Sequence, residues 1–316
     1  MKAGKQTTLS ERAVLTGRGV HSNAPVQIVI HPADANSGVS FLRTGLENGG
    51  SRCIDARWNE VSMTRLCTVI GDADGGSVST VEHVLSALSG LSVDNALIEI
   101  DGPEMPILDG SAQEFVEAID QAGIRTLSAP RRYLKIVKPV RVEDGRAFAE
   151  LRPAGSGFTL DVEIDFPSKL IGRQKKVVSL DPATFRREVA RARTFGFLRD
   201  VEQLWKMGFA LGSSLENSVA LDDERVLNPE GLRFPDEFVR HKLLDAVGDL
   251  SLAGAPMIGM YRSYCSGHRL NVAALEALFA DHSAYAFVEA PVRRRQQGGF
   301  AAFGMSVSPA YAAENN

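Results

Sequence analysis

Two stretches of the chain carry one pattern. VEHVLSALSGLSVDNALIEI starts at Val81 and VRHKLLDAVGDLSLAGAPMIGM at Val239. Aligned with one extra residue, Asp249, in the second, they set His83 on His241. Each is preceded by a strand, turn, strand order: QIVIHPADANSGVSF in the first half and FAELRPAGSGFTLDVEIDF in the second. A sequence that restarts in this way is expected to fold as two similar units from an internal duplication. The 316 residues suffice for two domains, each with its own core.

The second stretch suggests chemistry. Read as a helix, FVRHKLLDAVGD (Phe238–Asp249) puts His241 and Asp245 one turn apart on one face, with Lys242 beside them and Asp249 a turn further on. Taken alone, a His and an Asp at this spacing also describe a solvated helix pair. The repeat makes the metal reading specific, because two related units could each present a histidine at a shared interface. His83, His241 and Asp245 would then supply three nitrogen and oxygen ligands. Hydrolytic zinc sites keep three protein ligands and leave one position for water, whereas structural sites close with four, often thiolates. Cys53, Cys67 and Cys265 have no ligand spacing, and a calcium or magnesium site would want more carboxylates. Hydrolysis also needs a proton acceptor, and Glu82 adjoins a ligand much as the Glu of HExxH does. Equally, it could be a first-turn glutamate favoured by the helix dipole. His268, read as lying on the glycine-containing loop YCSGHRLN, could carry the second proton, with Asp249 as the partner that keeps it cationic.

Composition narrows the classes. Net charge is −4, which gives no reason to expect nucleic acid. An odd number of cysteines without CxxC pairing argues against a disulfide framework and for a reducing cytoplasm. The start, MKAGKQTTLSERAV, lacks the apolar core of a signal peptide, and no run approaches the ~18 apolar residues of a membrane span. GxxxxGKS/T and a strand–helix GxGxxG are both missing, which disfavours ordinary kinases and dehydrogenases.

In chain order, Gln6–Gly17 and Val26–His31 read as strands, and 42–68 as an irregular insert with small strands. SVSTVEHVLSALSGL reads as a helix capped by Ser79 or Thr80, Ala96–Ile100 as a strand, and the stretch after Ser111 as a capped amphipathic helix. TLSAPRR, 126–132, reads as the linker. The expected domains are 1–127 and 128–292, the second with an insert over about 196–223. Residues 293–316 are expected to form a terminal extension, at least partly disordered.

STVEHVLSALSGL with DNALIEIDGPEMPILDGSA, then ARTFGF, LNPEGLRFPDEFVRHKLLDAVGDL and SGH, together resemble the UDP-3-O-acyl-N-acetylglucosamine deacetylase family, zinc amidases of lipid A synthesis in Gram-negative bacteria. The motifs run in family order over about 6–275. The resemblance implies an α+β fold of two similar domains, each a β-sheet with a helix layer, the helix layers packed face to face as a β-α-α-β sandwich. It places the zinc ligands on His83, His241 and Asp245, the general base on Glu82 and the protonated histidine on His268, with Asp249 as that histidine's partner. Thr194 would stabilise the oxyanion and Lys242 would line the site. One Zn2+ per chain is implied, and Fe2+ suits the same ligands.

For the acyl chain, the resemblance implies a passage built from the second insert, with Phe195, Phe197, Leu198, Val201, Ser214 and Ala220 as lining. Leu66, Cys67 and Thr68 would stand at the mouth, Cys67 as packing rather than as a nucleophile. Asp165 and Phe166 would meet uridine. Positions Ala147 and Cys265, where the family would place lysines for the diphosphate, carry none, and Arg146, Arg262 or Arg269 could substitute. The implied partner is a UDP-linked acylated amino sugar, with no nucleic acid, no membrane span, and a cytoplasmic monomer. Two rivals stand beside this reading: a zinc amidase of another acylated substrate on the same scaffold, and a non-catalytic nucleotide- or lipid-binding protein with structural histidines.

Overall fold

The computed structural model describes residues 4–46, 49–72 and 76–289. The expected terminal extension, 293–316, lies outside them. Six α-helices are described: α1 (Glu82–Gly90), α2 (Gln113–Ala122), α3 (Pro182–Glu188), α4 (Leu198–Lys206), α5 (Glu237–Ser251) and α6 (His268–Ala280).

Two larger sheets, of five and seven strands, stand beside three two-stranded ones among the described residues, and the two larger sheets are wired alike. In the first, Ala13–Arg18 pairs antiparallel with Pro25–Pro32, which pairs antiparallel with Ala96–Ile100; that strand runs parallel to Val39–Arg43, which pairs antiparallel with Arg52–Asp55. In the second, Val140–Asp144 pairs antiparallel with Ala147–Arg152, which pairs antiparallel with Met257–Tyr264. Met257–Tyr264 runs parallel to Phe158–Asp165, which pairs antiparallel with Arg173–Ser179. The second sheet also takes in Arg132–Ile136 and Tyr285–Glu289. In each half the strand at the centre follows one long buried helix, α1 or α5, and precedes another, α2 or α6.

The helices α1 and α5 pack on each other, which explains why both are buried on nearly every face. Their approach depends on Gly248, where a Cβ would fall 2.0 Å from the Glu82 carbonyl oxygen. Backbone touches backbone there, and only glycine leaves the room.

Four local expectations are corrected. Gln6–Gly17 is two strands, Lys5–Leu9 and Ala13–Arg18, separated where Ser10 and Glu11 donate their N–H groups to Gly123 and Ala122. The linker 126–132 is instead mostly strand: Ile124–Pro130 is laid antiparallel along Lys5–Leu9, a ladder that satisfies its backbone. Neither Ser79 nor Thr80 caps α1. The cap position is Val81, while the Thr80 hydroxyl turns to Glu104 and the Ser79 hydroxyl to the Pro103 carbonyl. His268 is not in a loop but opens α6, after Gly267. Within the first insert, Arg52–Asp55 is an edge strand of the sheet, and Val61–Met63 forms its own small hairpin with Val69–Ile70.

Candidate metal and hydrolytic site

The α1–α5 contact brings the two aligned histidines together. Their rings lie edge to face with centroids 5.2 Å apart. Asp245 Oδ1 is 3.3 Å from His241 Nε2 and 3.8 Å from His83 Nε2, and all three donor atoms fall within 4.8 Å of one another. Each residue is at most 4% exposed. His241 Nδ1 donates to the Ala192 carbonyl at 3.1 Å, which leaves its Nε2 lone pair aimed at the cluster.

Charge states suit a cation. Burial pushes the His83 imidazolium down to about 3 and lowers that of His241 as well. Burial raises the Asp245 carboxyl, but the His241 imidazole and the Lys242 ammonium beside it outweigh this and hold the group well below the usual carboxylate range. Two neutral imidazoles therefore face one carboxylate. Asp245 Oδ1 is buried and makes no hydrogen bond to the described residues, a costly arrangement that a divalent cation would relieve. His83 Nδ1 is likewise without a partner. The residues present fit a metal.

Around this cluster stand the proton-handling groups. Glu82, 3% exposed, accepts the Thr68 N–H on Oε2 at 3.1 Å. Burial lifts its carboxyl to about 7, opposed by the His268 charge and reinforced by Asp249 and Asp245. His268 faces it, Nε2 to Glu82 Oε1 at 3.8 Å, and donates from Nδ1 to Asp249 Oδ2 at 2.9 Å. Burial pulls the His268 imidazolium down, but Asp249 and Glu82 overcome this and raise it to about 10. At neutral pH the site thus pairs a carboxyl poised to lose its proton with an imidazole that keeps one. Lys242 Nζ donates to Asp245 Oδ2 at 2.8 Å and lies 5.6 Å from the centre of the Phe195 ring.

The remaining expected residues spread outward from here. Thr194 is half-buried, its N–H donating to Gly110 and its carbonyl accepting from Val219, while its hydroxyl makes no hydrogen bond to the described residues. Phe195 packs edge to face on Phe238, Phe166 and His241. Phe195–Phe197 pairs parallel with Val219–Leu221, which includes Ala220, and α4 follows with Leu198 exposed and Val201 half-buried. Ser214 sits apart, in an exposed turn where its hydroxyl accepts the Glu216 N–H. Leu66 is exposed with positive φ, whereas Cys67 and Thr68 are buried. Burial, with Glu82 nearby, pushes the Cys67 thiol up to about 12, so it is an inert packing group. Arg65 reaches Met207 Sδ at 3.2 Å, joining the first-half hairpin to the second insert. Asp165 accepts from the Tyr264 hydroxyl at 2.8 Å and from Arg146 at 3.3 Å. Arg262 stands 3.8 Å from Asp161, and Arg269 bonds Asp144.

Sequence reasoning missed three groups. Asn271 donates to Asp249 Oδ2 at 2.8 Å and accepts from the Tyr261 hydroxyl at 2.5 Å. With the Thr68 hydroxyl at 2.6 Å on Oδ1, these hold Asp249 in place. The i,i+3 spacing of His268 and Asn271 was the available signal for that residue. His21 receives the Ala210 N–H at 3.4 Å, and its imidazolium is lowered by burial, against the pull of Glu104 and with the push of His268. Nothing local in GVHSN marks it, since its neighbours come from distant segments.

Comparison with known proteins gives a consistent result. A family model described as UDP-3-O-acyl N-acetylglycosamine deacetylase matches residues 6–280. Proteins named UDP-3-O-acyl-N-acetylglucosamine deacetylase from Brucella ovis and Brucella canis are each 49% identical over 286 residues, covering 90% of this chain and 99% of theirs. That of Brucella melitensis is 48% identical over the same span.

Proposed function

The chain belongs to the UDP-3-O-acyl-N-acetylglucosamine deacetylase family, and from that premise we propose how its site removes the N-acetyl group of UDP-3-O-(3-hydroxyacyl)-N-acetylglucosamine. The products are acetate and the free glucosamine amine, the committed step of lipid A synthesis. The reading rests chiefly on one observation: a neutral His83–His241 pair and an ionised Asp245 converge beside a carboxyl raised to about 7.

His83, His241 and Asp245 hold the metal, which is zinc in this reading, with iron(II) suited to the same donors. Bound there, a divalent cation polarises the acetamide carbonyl and acidifies a water molecule. Glu82 takes the proton that water loses as its oxygen bonds to the acetamide carbon. The Thr194 hydroxyl, which makes no hydrogen bond to the described residues, donates to the oxyanion that develops on the former carbonyl. When the C–N bond breaks, the nitrogen receives a proton from His268, which Asp249 keeps charged until then. Lys242 orients Asp245 and adds positive charge at the rim.

The acyl chain runs along Phe195, Phe197, Leu198, Val201 and Ala220, with Leu66, Cys67 and Thr68 at the mouth; Ser214 stays outside. Uridine meets Asp165 and Phe166, near Arg146 and Tyr264, and Arg262 and Arg269 stand in for the lysines that Ala147 and Cys265 replace. The halves 1–127 and 128–292 are duplicated domains of a β-α-α-β sandwich, a reading supported by the shared strand order. The protein works as a monomer in this reading. Three unbridged thiols support a cytoplasmic setting; among the described residues no helix is long and apolar enough to cross a membrane.

Acetate release from this substrate by zinc-loaded protein tests the reading. Release should stop when a chelator strips the metal and return when zinc is restored. Zinc-loaded protein that leaves the substrate intact would contradict the assigned substrate.

A further inference from the structure

A second basic recess lies between the two halves and shares no residue with the metal site. It is a cavity of about 190 Å3, walled by Leu85, Leu88 and Val93 on one side and by Arg57, Arg131 and Arg132 on another. Arg131 is held by Asp94, Nε to Oδ1 at 2.7 Å, and by the Ser92 carbonyl at 2.9 Å. Arg57 and Arg132 make no ion pair and no side-chain hydrogen bond with the described residues. Glu289, across the strand pair from Arg132, does not reach it.

These guanidiniums are placed rather than loose. The Trp58 N–H donates to the Leu252 carbonyl at 2.9 Å and its ring stacks on Phe279, which pins the backbone beside Arg57. The Arg57 guanidinium lies on Gly254, where a Cβ would fall 1.8 Å from Nη1 and where φ is +76°. Arg132 sits over the half-exposed ring of Phe287 at 4.9 Å. Ser89 also lines the space, and its hydroxyl makes no hydrogen bond to the described residues.

Arginines beside helix C-termini can serve only to balance the dipole, and α1 and α5 both end here. The charges do not cancel. Three guanidiniums against Asp94 leave two positive charges, and two helix ends contribute about −0.5 each, leaving roughly one positive charge unanswered. Neither Arg57 nor Arg132 bonds a helix carbonyl. Arg132 is exposed and Arg57 half-buried, so water reaches both; neither is paired with an acidic side chain of the described residues, and forked guanidiniums match phosphate oxygens best.

We propose that this cavity binds the phosphate group of a small soluble phosphomonoester. The phosphate is met by Arg57, Arg131 and Arg132 with Ser89 as a further donor, and the carbon part lies against Leu88, Val93 and the Phe287 ring. The space leaves room for a ligand larger than a simple ion, since about 10–15 Å3 on the same measure already holds one water.

Calorimetric titration of the zinc-loaded full chain with sn-glycerol 3-phosphate at low ionic strength tests this. Arg57→Gln with Arg132→Gln should weaken binding by about tenfold or more, while Arg262→Gln leaves it unchanged. Equal affinity in the double variant, loss in Arg262→Gln, or no binding at millimolar ligand would overturn the proposal. Arginine Nε–H resonances of the unsubstituted chain, assigned from single variants, give a readout that does not depend on the double variant folding. Signals of Arg57, Arg131 and Arg132 should move during the titration. Movement confined to Arg146, Arg262 or Arg269 would place the ligand elsewhere and refute the site.

Discussion

Asp249 and His268 face each other across α5 and α6, with Oδ2 and Nδ1 2.9 Å apart. The carboxylate is fully buried, and its other contacts come from Thr68 and Asn271. With Glu82, this contact separates His268 from its neighbours: it carries a proton at neutral pH, while burial keeps His83 and His241 neutral. Three helices, α1, α5 and α6, thus supply the metal-ready and acid-ready imidazoles.

Replacing Asp249 by Asn keeps the hydrogen bond and removes the charge. The His268 imidazolium should then fall from about 10 toward its ordinary value, because Glu82 and Asp245 are left to oppose burial without the Asp249 charge. Deacetylation at pH 8 should drop by about tenfold or more, with bound zinc unchanged. Zinc lost along with activity would show instead that Asp249 supports the metal site.

The pH profile of kcat/KM should be bell-shaped. A base works only when ionised, so activity rises as Glu82 loses its proton near 7; an acid works only when protonated, so activity falls as His268 loses its own near 10. A bound divalent cation favours deprotonation of both and moves both limbs toward lower pH. Arg262→Gln should leave the shape unchanged, whereas Asp249→Asn should draw in the alkaline limb.

Gly248→Ala places a methyl where the Glu82 carbonyl oxygen now stands. The two helices must part, at a cost of about 1–3 kcal/mol and visible as a lower unfolding midpoint. Since α1 carries His83 and α5 carries His241 and Asp245, zinc affinity should fall with it. An unchanged affinity would mean that the ligands do not depend on this helix contact.

Much of this was legible before any coordinates. His83, His241 and Asp245 could be picked out because a repeat is visible in a linear sequence and helical spacing sets what shares a face. Glu82 followed from its adjacency to a ligand. The start of α1 was misread because Ser79 and Thr80 look like caps locally, yet Glu104, distant in sequence, captures the Thr80 hydroxyl. The 126–132 strand was hidden similarly, since its pairing partner lies at the other end of the domain. Asn271, Tyr261 and His21 owe their places to tertiary contacts that no periodicity encodes.

The most direct measurement compares unsubstituted protein with Glu82→Gln at equal zinc loading. The variant should retain about one zinc per chain and release acetate at least about 10²-fold more slowly, the scale of a lost general acid–base group. A variant that turns over normally would remove Glu82 from the chemistry. An unsubstituted protein that binds no metal would contradict the site built on His83, His241 and Asp245.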